Sequence, residues 1–206
     1  MTILHLSDTH GLHRQLGALP EADVIVHTGD FTFAGAANEV RDFVDWFCHL
    51  PYRHKVFIAG NHDDCLWGAK IDGLPKNCHY LCGYGVTIDG VRFFGVPMFM
   101  GDVVSENYGA MFAAVPDDTD VLLTHQPPLG IFDLSGKTHY GSPLVLQAVQ
   151  RIKPKTHLFG HVHDQYGAEN LHGTLFSNAA VVDDGYALKN LPRVITLNLP
   201  YSSENS

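Results

Sequence analysis

Five short apolar runs, each closed by a cluster of Asp, Asn, His or Gly, restrict the fold of this chain more than any other feature. They are Ile3 to Leu6 before Ser7-Asp8-Thr9-His10, Val24 to Val26 before His27-Thr28-Gly29-Asp30, and Val56 to Ala59 before Gly60-Asn61-His62-Asp63. Val121 to Leu123 before Thr124-His125 and His157 to Phe159 before Gly160-His161-Val162-His163 complete the set. Runs this short, bounded by polar turns, read as strands buried on both faces. Helical spacing falls between them. Val40, Phe43, Val44 and Phe47 follow the i, i+3, i+4, i+7 rule within Asn38 to Leu50, and Pro51 stops the segment. Ser142-Pro143 offers an N-cap with proline at the first helical position, followed by Val145, Ala148, Val149 and Ile152 at the same spacing before Pro154.

Val86 to Ile88 and Val91 to Phe94 flank Asp89-Gly90, the signature of a hairpin, while Thr174 to Ser177 and Val194 to Leu199 read as later strands. Ser202 to Ser206 is a polar tail, and no repeat or linker divides the chain, so one domain over residues 1–206 is expected. Alternating strands and helices imply an α/β fold whose sheet is covered on both faces and is mixed in direction because the hairpin interrupts it. In such folds the functional crevice lies outside the carboxyl ends of the strands. All five polar clusters would meet there.

Composition narrows what that crevice can do. The 206 residues carry 22 acidic against 13 basic side chains, a net charge of −9, the wrong sign for long nucleic acid or an anionic membrane. No basic, apolar leader opens the chain and no stretch of about 18 apolar residues occurs, so a cytoplasmic protein is expected. Cys48, Cys65, Cys78 and Cys82 form no CxxC pair and read as reduced thiols. Histidine is the outlier: 14 of them outnumber Lys and Arg together, which points to metal chemistry. Divalent ions bind carboxylate and imidazole, and a pair of them about 3.5–4 Å apart can clamp both oxygens of a phosphoryl transfer. Asp8 and His10 could face one ion, His161 and His163 could each serve a different one, and Asp30 is the natural bridge. Two aspartates against two divalent ions leave about +2 to receive a phosphate.

In their order along the chain, Asp8-x-His10, Gly29-Asp30, Gly60-Asn61-His62-Asp63, His125 and Gly160-His161-x-His163 resemble the signature of the calcineurin-like metallophosphoesterases. His27 to Thr32, Asp45-Trp46, Leu50-Pro51-Tyr52, Ile58 to His62, Thr124 to Gly130 and Phe159 to His163 are similar to the metallophosphoesterase-domain-containing branch, related to class III cyclic-nucleotide phosphodiesterases. The resemblance implies a β-sandwich of mixed sheets flanked by helices, a four-layer fold. It implies that Asp8, His10, Asp30 and His163 hold one metal and that Asp30, Asn61, His125 and His161 hold a second, with manganese, iron or zinc as the family's metals. It further implies that His62 protonates the leaving oxygen while a metal-held hydroxide attacks phosphorus in line. The catalytic set is thus His62, Asn61 and Asp30, and the expected activity is hydrolysis of a phosphodiester, a cyclic or small nucleotide. A phosphomonoesterase on the same site and a non-catalytic binding protein are the alternatives. Asp30 is followed by Phe31-Thr32-Phe33, not by the arginine of the phosphoprotein-phosphatase branch, which disfavours a phosphoprotein substrate.

On the substrate side, Phe31, Phe33 and Tyr108 could stack a nucleobase, with Pro97 to Met100 and Asn107-Tyr108 as a lid. Each of these aromatics read alone is more often a packed residue. His5 and His27 are expected in the core, and His49, His54, His79, His139 and His172 on the surface or in loops. His13 stays open between packing and a place beside the substrate. Asp63 and Asp64 either orient His62 or cap the segment that follows, and capping is the favoured expectation.

Overall fold

In the computed structural model, residues 1–198 are described. The polar tail at 202–206 and Leu199 of the last expected strand lie outside them. Two sheets form. The first is ordered β13-β1-β2-β3-β4, from β1 (Thr2–Leu6), β2 (Val24–His27), β3 (His54–Phe57), β4 (Cys78–Tyr80) and β13 (Arg193–Thr196). Its four N-terminal strands are parallel, and β13 closes one edge antiparallel to β1. The second is ordered β11-β12-β10-β7-β6-β5, from β5 (Tyr84–Ile88), β6 (Val91–Val96), β7 (Val121–Thr124), β10 (Thr156–Phe159), β11 (Gly167–Leu171) and β12 (Thr174–Asn178). There β12, β10, β7 and β6 are parallel and the two edge strands antiparallel. A small hairpin joins β8 (Leu134–Ser135) to β9 (Thr138–His139).

Strand alternation sorts side chains into layers. Ile3, Val24, Val26, Val56 and Ile58 of the first sheet meet Val91, Phe93, Val121, Leu123 and Leu158 of the second in a core between the sheets. Leu4, Leu6 and Ile25 point the other way, onto α1 (Ala37–His49), which buries Val40, Phe43 and Phe47. On the far face of the second sheet lie α3 (Asn107–Ala113), after the single turn α2 (Met100–Val103), and α4 (Pro143–Ile152). Helix, sheet, sheet, helix is the four-layer mixed α/β arrangement expected. Ser142 caps α4 through the backbone N–H groups of Leu144 and Val145. At α1 the cap position is Ala36, and the Glu39 carboxylate instead accepts from the N–H groups of Phe33, Ala34 and Ala36. Phe43 is fully buried and stacked 4.1 Å from Phe31, so truncating it to alanine would cost about 3–5 kcal/mol.

Strands β4, β8, β9 and β11 lie outside the sequence expectation, and β13 begins one residue before Val194 and ends at Thr196. Asp89 and Gly90 turn the β5–β6 hairpin with φ of 48° and 79°, the primed turn that Asp-Gly favours.

Candidate metal centre

The parallel strands of both sheets end at one rim, where a bridge between Ser7 and Ala180 joins the sheets. Asp8 and His10 follow β1, Asp30 follows β2, Asn61 and His62 follow β3, His125 follows β7, and His161 and His163 follow β10. The rim brings all eight expected residues together. Donor atoms of Asp8, His10 and His163 lie within 4.8 Å of one another, as do those of Asp30, His125 and His161, and those of His10, Asp30 and His62.

Asp30 stands between these groups. Its Oδ1 accepts the backbone N–H of His62 at 2.7 Å, while its Oδ2 lies 3.1 Å from His125 Nε2 and 3.9 Å from His10 Nε2. Asp8 Oδ1 lies 3.4 Å from His163 Nε2 and 3.9 Å from His125 Nε2. Both carboxylates are enclosed. Asp8, His10, Asp30 and His161 all have φ between 41° and 71°, sparsely populated for residues with a Cβ, and strain of that kind gathers at functional sites. Gly60 admits no side chain, because a Cβ there would collide with the Asp30 carboxylate and lie 2.8 Å from His125 Cε1.

Backbone carbonyls set the imidazole tautomers. Nδ1 of His10, His125, His163 and His62 donates to the carbonyls of Thr32, Thr28, Asp183 and Phe33 respectively, at 2.8–3.2 Å. Each ring therefore turns Nε2 toward the site, the arrangement that orients metal-ligating histidines. Two buried atoms of the site, Asn61 Oδ1 and His125 Nε2, make no hydrogen bond among the described residues, His125 Nε2 having only the ion-pair contact with Asp30 at 3.1 Å. Such orphans are rare in native interiors unless something else satisfies them. Oxygen and imidazole donors without thiolate suit divalent ions of the manganese, iron and zinc kind.

The charges are distributed by neighbours. Burial alone would raise both carboxyls, but His163 beside Asp8 and His125 beside Asp30 more than offset it, and both ionise below the usual carboxylate range. Burial likewise opposes a charge on His125, yet Asp30 and Asp8 raise it to about 9. His10 and His161, where burial dominates, fall to about 4.

Asp63 corrects an expectation. It makes no side-chain cap to the turn at Asp64–Leu66. Instead its fully buried carboxylate reaches back to the Asp30 loop. Oδ2 accepts from the N–H groups of Asp30 and Gly60 at 2.8 and 2.9 Å, and Oδ1 from the N–H and hydroxyl of Thr32 at 2.9 Å. Burial and the charge of Asp30 push its carboxyl up to about 7, against four converging donors that favour the ionised form. Asn178, absent from the expected set, holds the other loop: its amide donates to the Val162 carbonyl at 2.8 Å and its Oδ1 accepts from Ala180. Its only signal in the sequence is a polar residue ending an apolar strand.

The aromatic expectations divide. Phe31 and Tyr108 are core residues, the first on Phe43 and the second on Phe112 with its hydroxyl toward Gln126. Pro97, Met98 and Phe99 are also buried, so this segment is no lid. Phe33 alone is exposed, with its ring 6.3 Å from His62. His13 packs on Trp46 and bonds Asp42 at 3.0 Å, which settles it as structural. His5 and His27 are fully buried and hydrogen-bonded, as expected, whereas His54 and His79 are half-buried on adjacent strands. Tyr186, also absent from the expected set, stands 4.8 Å from His10 and 5.4 Å from His163.

A cavity of about 290 Å³ opens onto this floor, lined by Asp30, Asn61, His62, His161 and His163 below and by Tyr140, Asp184 and Tyr186 at the mouth. No lysine or arginine lines it among the described residues.

Comparison with known proteins agrees with this geometry. The family model of the calcineurin-like phosphoesterases matches residues 1–165. A Caenorhabditis elegans protein of the UPF0046 group is 36% identical over 94% of this chain and 74% of its own length. Human metallophosphoesterase domain-containing protein 1 is 32% identical over 96% of this chain and 71% of its own. The crystal structure of TT1561 of Thermus thermophilus superimposes with a TM-score of 0.59 at 17% identity, covering 86% of this chain and 88% of that one, a likeness of fold. The matched family model and these relatives place the chain in the calcineurin-like phosphoesterase family.

Proposed function

We propose that the chain is a dinuclear metal-dependent phosphodiesterase acting on small, nucleotide-sized esters. Asp8, His10, Asp30 and His163 would hold one divalent ion and Asp30, Asn61, His125 and His161 the other. When bound, the ions supply positive charge and Lewis acidity toward the phosphoryl oxygens. The observation that carries the reading is the pairing of unbonded polar atoms at the site with a cavity that no lysine or arginine lines among the described residues. Buried Asp8 and Asp30 would repel a phosphate unless offset, and the residues that could offset them are arranged as ligands. A diester monoanion needs less compensating charge than a monoester dianion, and Asp184 at the mouth adds to that preference.

His62 does the remaining chemistry. With Nδ1 donating to the Phe33 carbonyl, its Nε2 is free to carry a proton to the leaving oxygen, and Asp30 fixes its backbone. Glu39 is a positioning residue, since it anchors the Phe33 and Ala34 N–H groups of the same loop. The test is initial rates on metal-stripped protein with and without manganese, using bis(p-nitrophenyl) phosphate, p-nitrophenyl phosphate and cyclic nucleotides in parallel. Manganese-dependent turnover of the diesters above the monoester is expected. Faster monoester turnover, or none on any ester, would defeat the proposal.

A further inference from the structure

The aromatic mouth of the cavity has no part in the chemistry above. Of the five exposed aromatic side chains among the described residues, Phe33, Tyr140 and Tyr186 gather at this site, with Trp67 and Tyr84 elsewhere. Tyr186 is the centre of the group. Its ring lies edge-on to His10 at 4.8 Å, His163 at 5.4 Å and Phe33 at 5.4 Å, and 6.1 Å from His62.

The turn that carries Tyr186 is held rigidly. Tyr186 has a φ of 59°, a costly value for a residue with a Cβ. The Asp183 carboxylate accepts from the N–H groups of Gly185 and Ala187 at 2.9 and 3.1 Å. The Asp183 carbonyl receives the Tyr186 N–H at 2.8 Å and His163 Nδ1 at 3.2 Å. One turn therefore sets both a floor histidine and the aromatic ring, which makes Tyr186 a fixed wall. Exposed aromatic surface beside a built polar site marks a place where a ligand's flat face is covered.

We propose that Tyr186, supported by Phe33, is a specificity-determining residue that packs against a planar group esterified to the phosphate. The proposal rests on the phosphoesterase reading. His62 Nε2 fixes where the leaving oxygen sits, and the ring of Tyr186 lies beside it. Phe33 and Tyr186 touch each other, so a planar group docks onto the pair and does not slide between them. The cavity is large enough for a phosphate and one ring system and small for anything much larger.

The test uses equilibrium binding, so that it does not depend on turnover. Titration calorimetry on the manganese-loaded protein would give dissociation constants for phenylphosphonate, methylphosphonate and inorganic phosphate. Wild type, Tyr186→Phe, Tyr186→Leu and Phe33→Leu are compared, the last being an exposed side chain whose loss spares the strained turn. The wild type is expected to prefer phenylphosphonate over methylphosphonate by at least about three-fold, the worth of one aromatic contact. Tyr186→Phe should keep that preference, Tyr186→Leu should abolish it, and Phe33→Leu should weaken it, all with inorganic phosphate binding unchanged. A wild type without phenyl preference, or a Tyr186→Leu protein that retains it, overturns the proposal while phosphate binding leaves the phosphoesterase reading standing. Failure of the wild type to bind phosphate at all would overturn both.

Discussion

The floor of the cavity and its rim are built by opposite rules. On the floor, Asp8, His10, Asp30 and His125 are buried, the first three with strained backbones, and their ring nitrogens or carboxylates are tied to main-chain groups. At the rim, Phe33, Tyr140 and Tyr186 are exposed and lie on loops. A floor fixed from several elements can hold charges that would otherwise repel, whereas the rim side chains can vary so long as the turn backbones that anchor His62 and His163 are kept. The proposed function assigns chemistry to the first region and selectivity to the second.

The largest effect that tests this division is expected at Asp30, the residue common to both proposed ion sites. Asp30→Ala should lower manganese-dependent turnover by at least about 10³-fold, because several kcal/mol of charge stabilisation go with it. Steady-state rates on a diester check this, and a smaller loss would mean the floor is less interdependent than its geometry implies. His62→Ala comes next, with a fall of roughly 10²–10⁴-fold and undiminished metal content by atomic emission. The loss should shrink for p-nitrophenyl esters, whose leaving group needs no proton. If it does not, His62 acts on the phosphate and not on the leaving oxygen.

Asp63→Asn probes how the floor is held. An amide cannot accept from four donors, so unfolding by urea should register a loss of about 1–3 kcal/mol, and turnover should fall roughly ten-fold to a hundred-fold. Unchanged stability would show that the Asp30 loop holds itself.

The smallest expected effect lies beneath the floor, in buried histidines outside the proposed ligand set. His27 and His157, at about 3, and His5, well below its usual value, are depressed by burial. For His157 the hydrogen bonds agree, since the Thr124 hydroxyl donates to the Gln126 carbonyl and must accept from Nε2, which leaves Nδ1 bare and uncharged. A folded value below the unfolded 6.5 means that the unfolded chain binds more protons between them. Stability is therefore complete above pH 6.5 and is lost as pH falls toward 3, by up to about 1.4 kcal/mol per pH unit for each histidine. Urea midpoints between pH 7 and 5 should show this, and His157→Gln should flatten the slope by about one proton.

The same division explains what could be read in the chain. Floor residues sit one to five positions beyond apolar strands, so local pattern and order along the chain found them, and the unbroken apolar run from Ile3 to Leu6 implied a strand buried on both faces. Asp63 was misread because its partners, Asp30 and Thr32, lie some thirty residues away and only parallel pairing of β2 with β3 makes them neighbours. Phe31 and Phe33 have equal weight in sequence, but one stacks on α1 and the other escapes it. Tyr186 follows Asp183-Asp184-Gly185, a plain turn signal, and nothing local says that the turn packs against Phe33 at the site.

The central claim is that the floor is a two-ion site joined through Asp30. Metal content after equilibrium dialysis against manganese tests it most directly. The account predicts two ions per chain in the wild type and in His62→Ala, and fewer than one in Asp30→Ala. One ion or none in the wild type, or two retained without the Asp30 carboxylate, would contradict it.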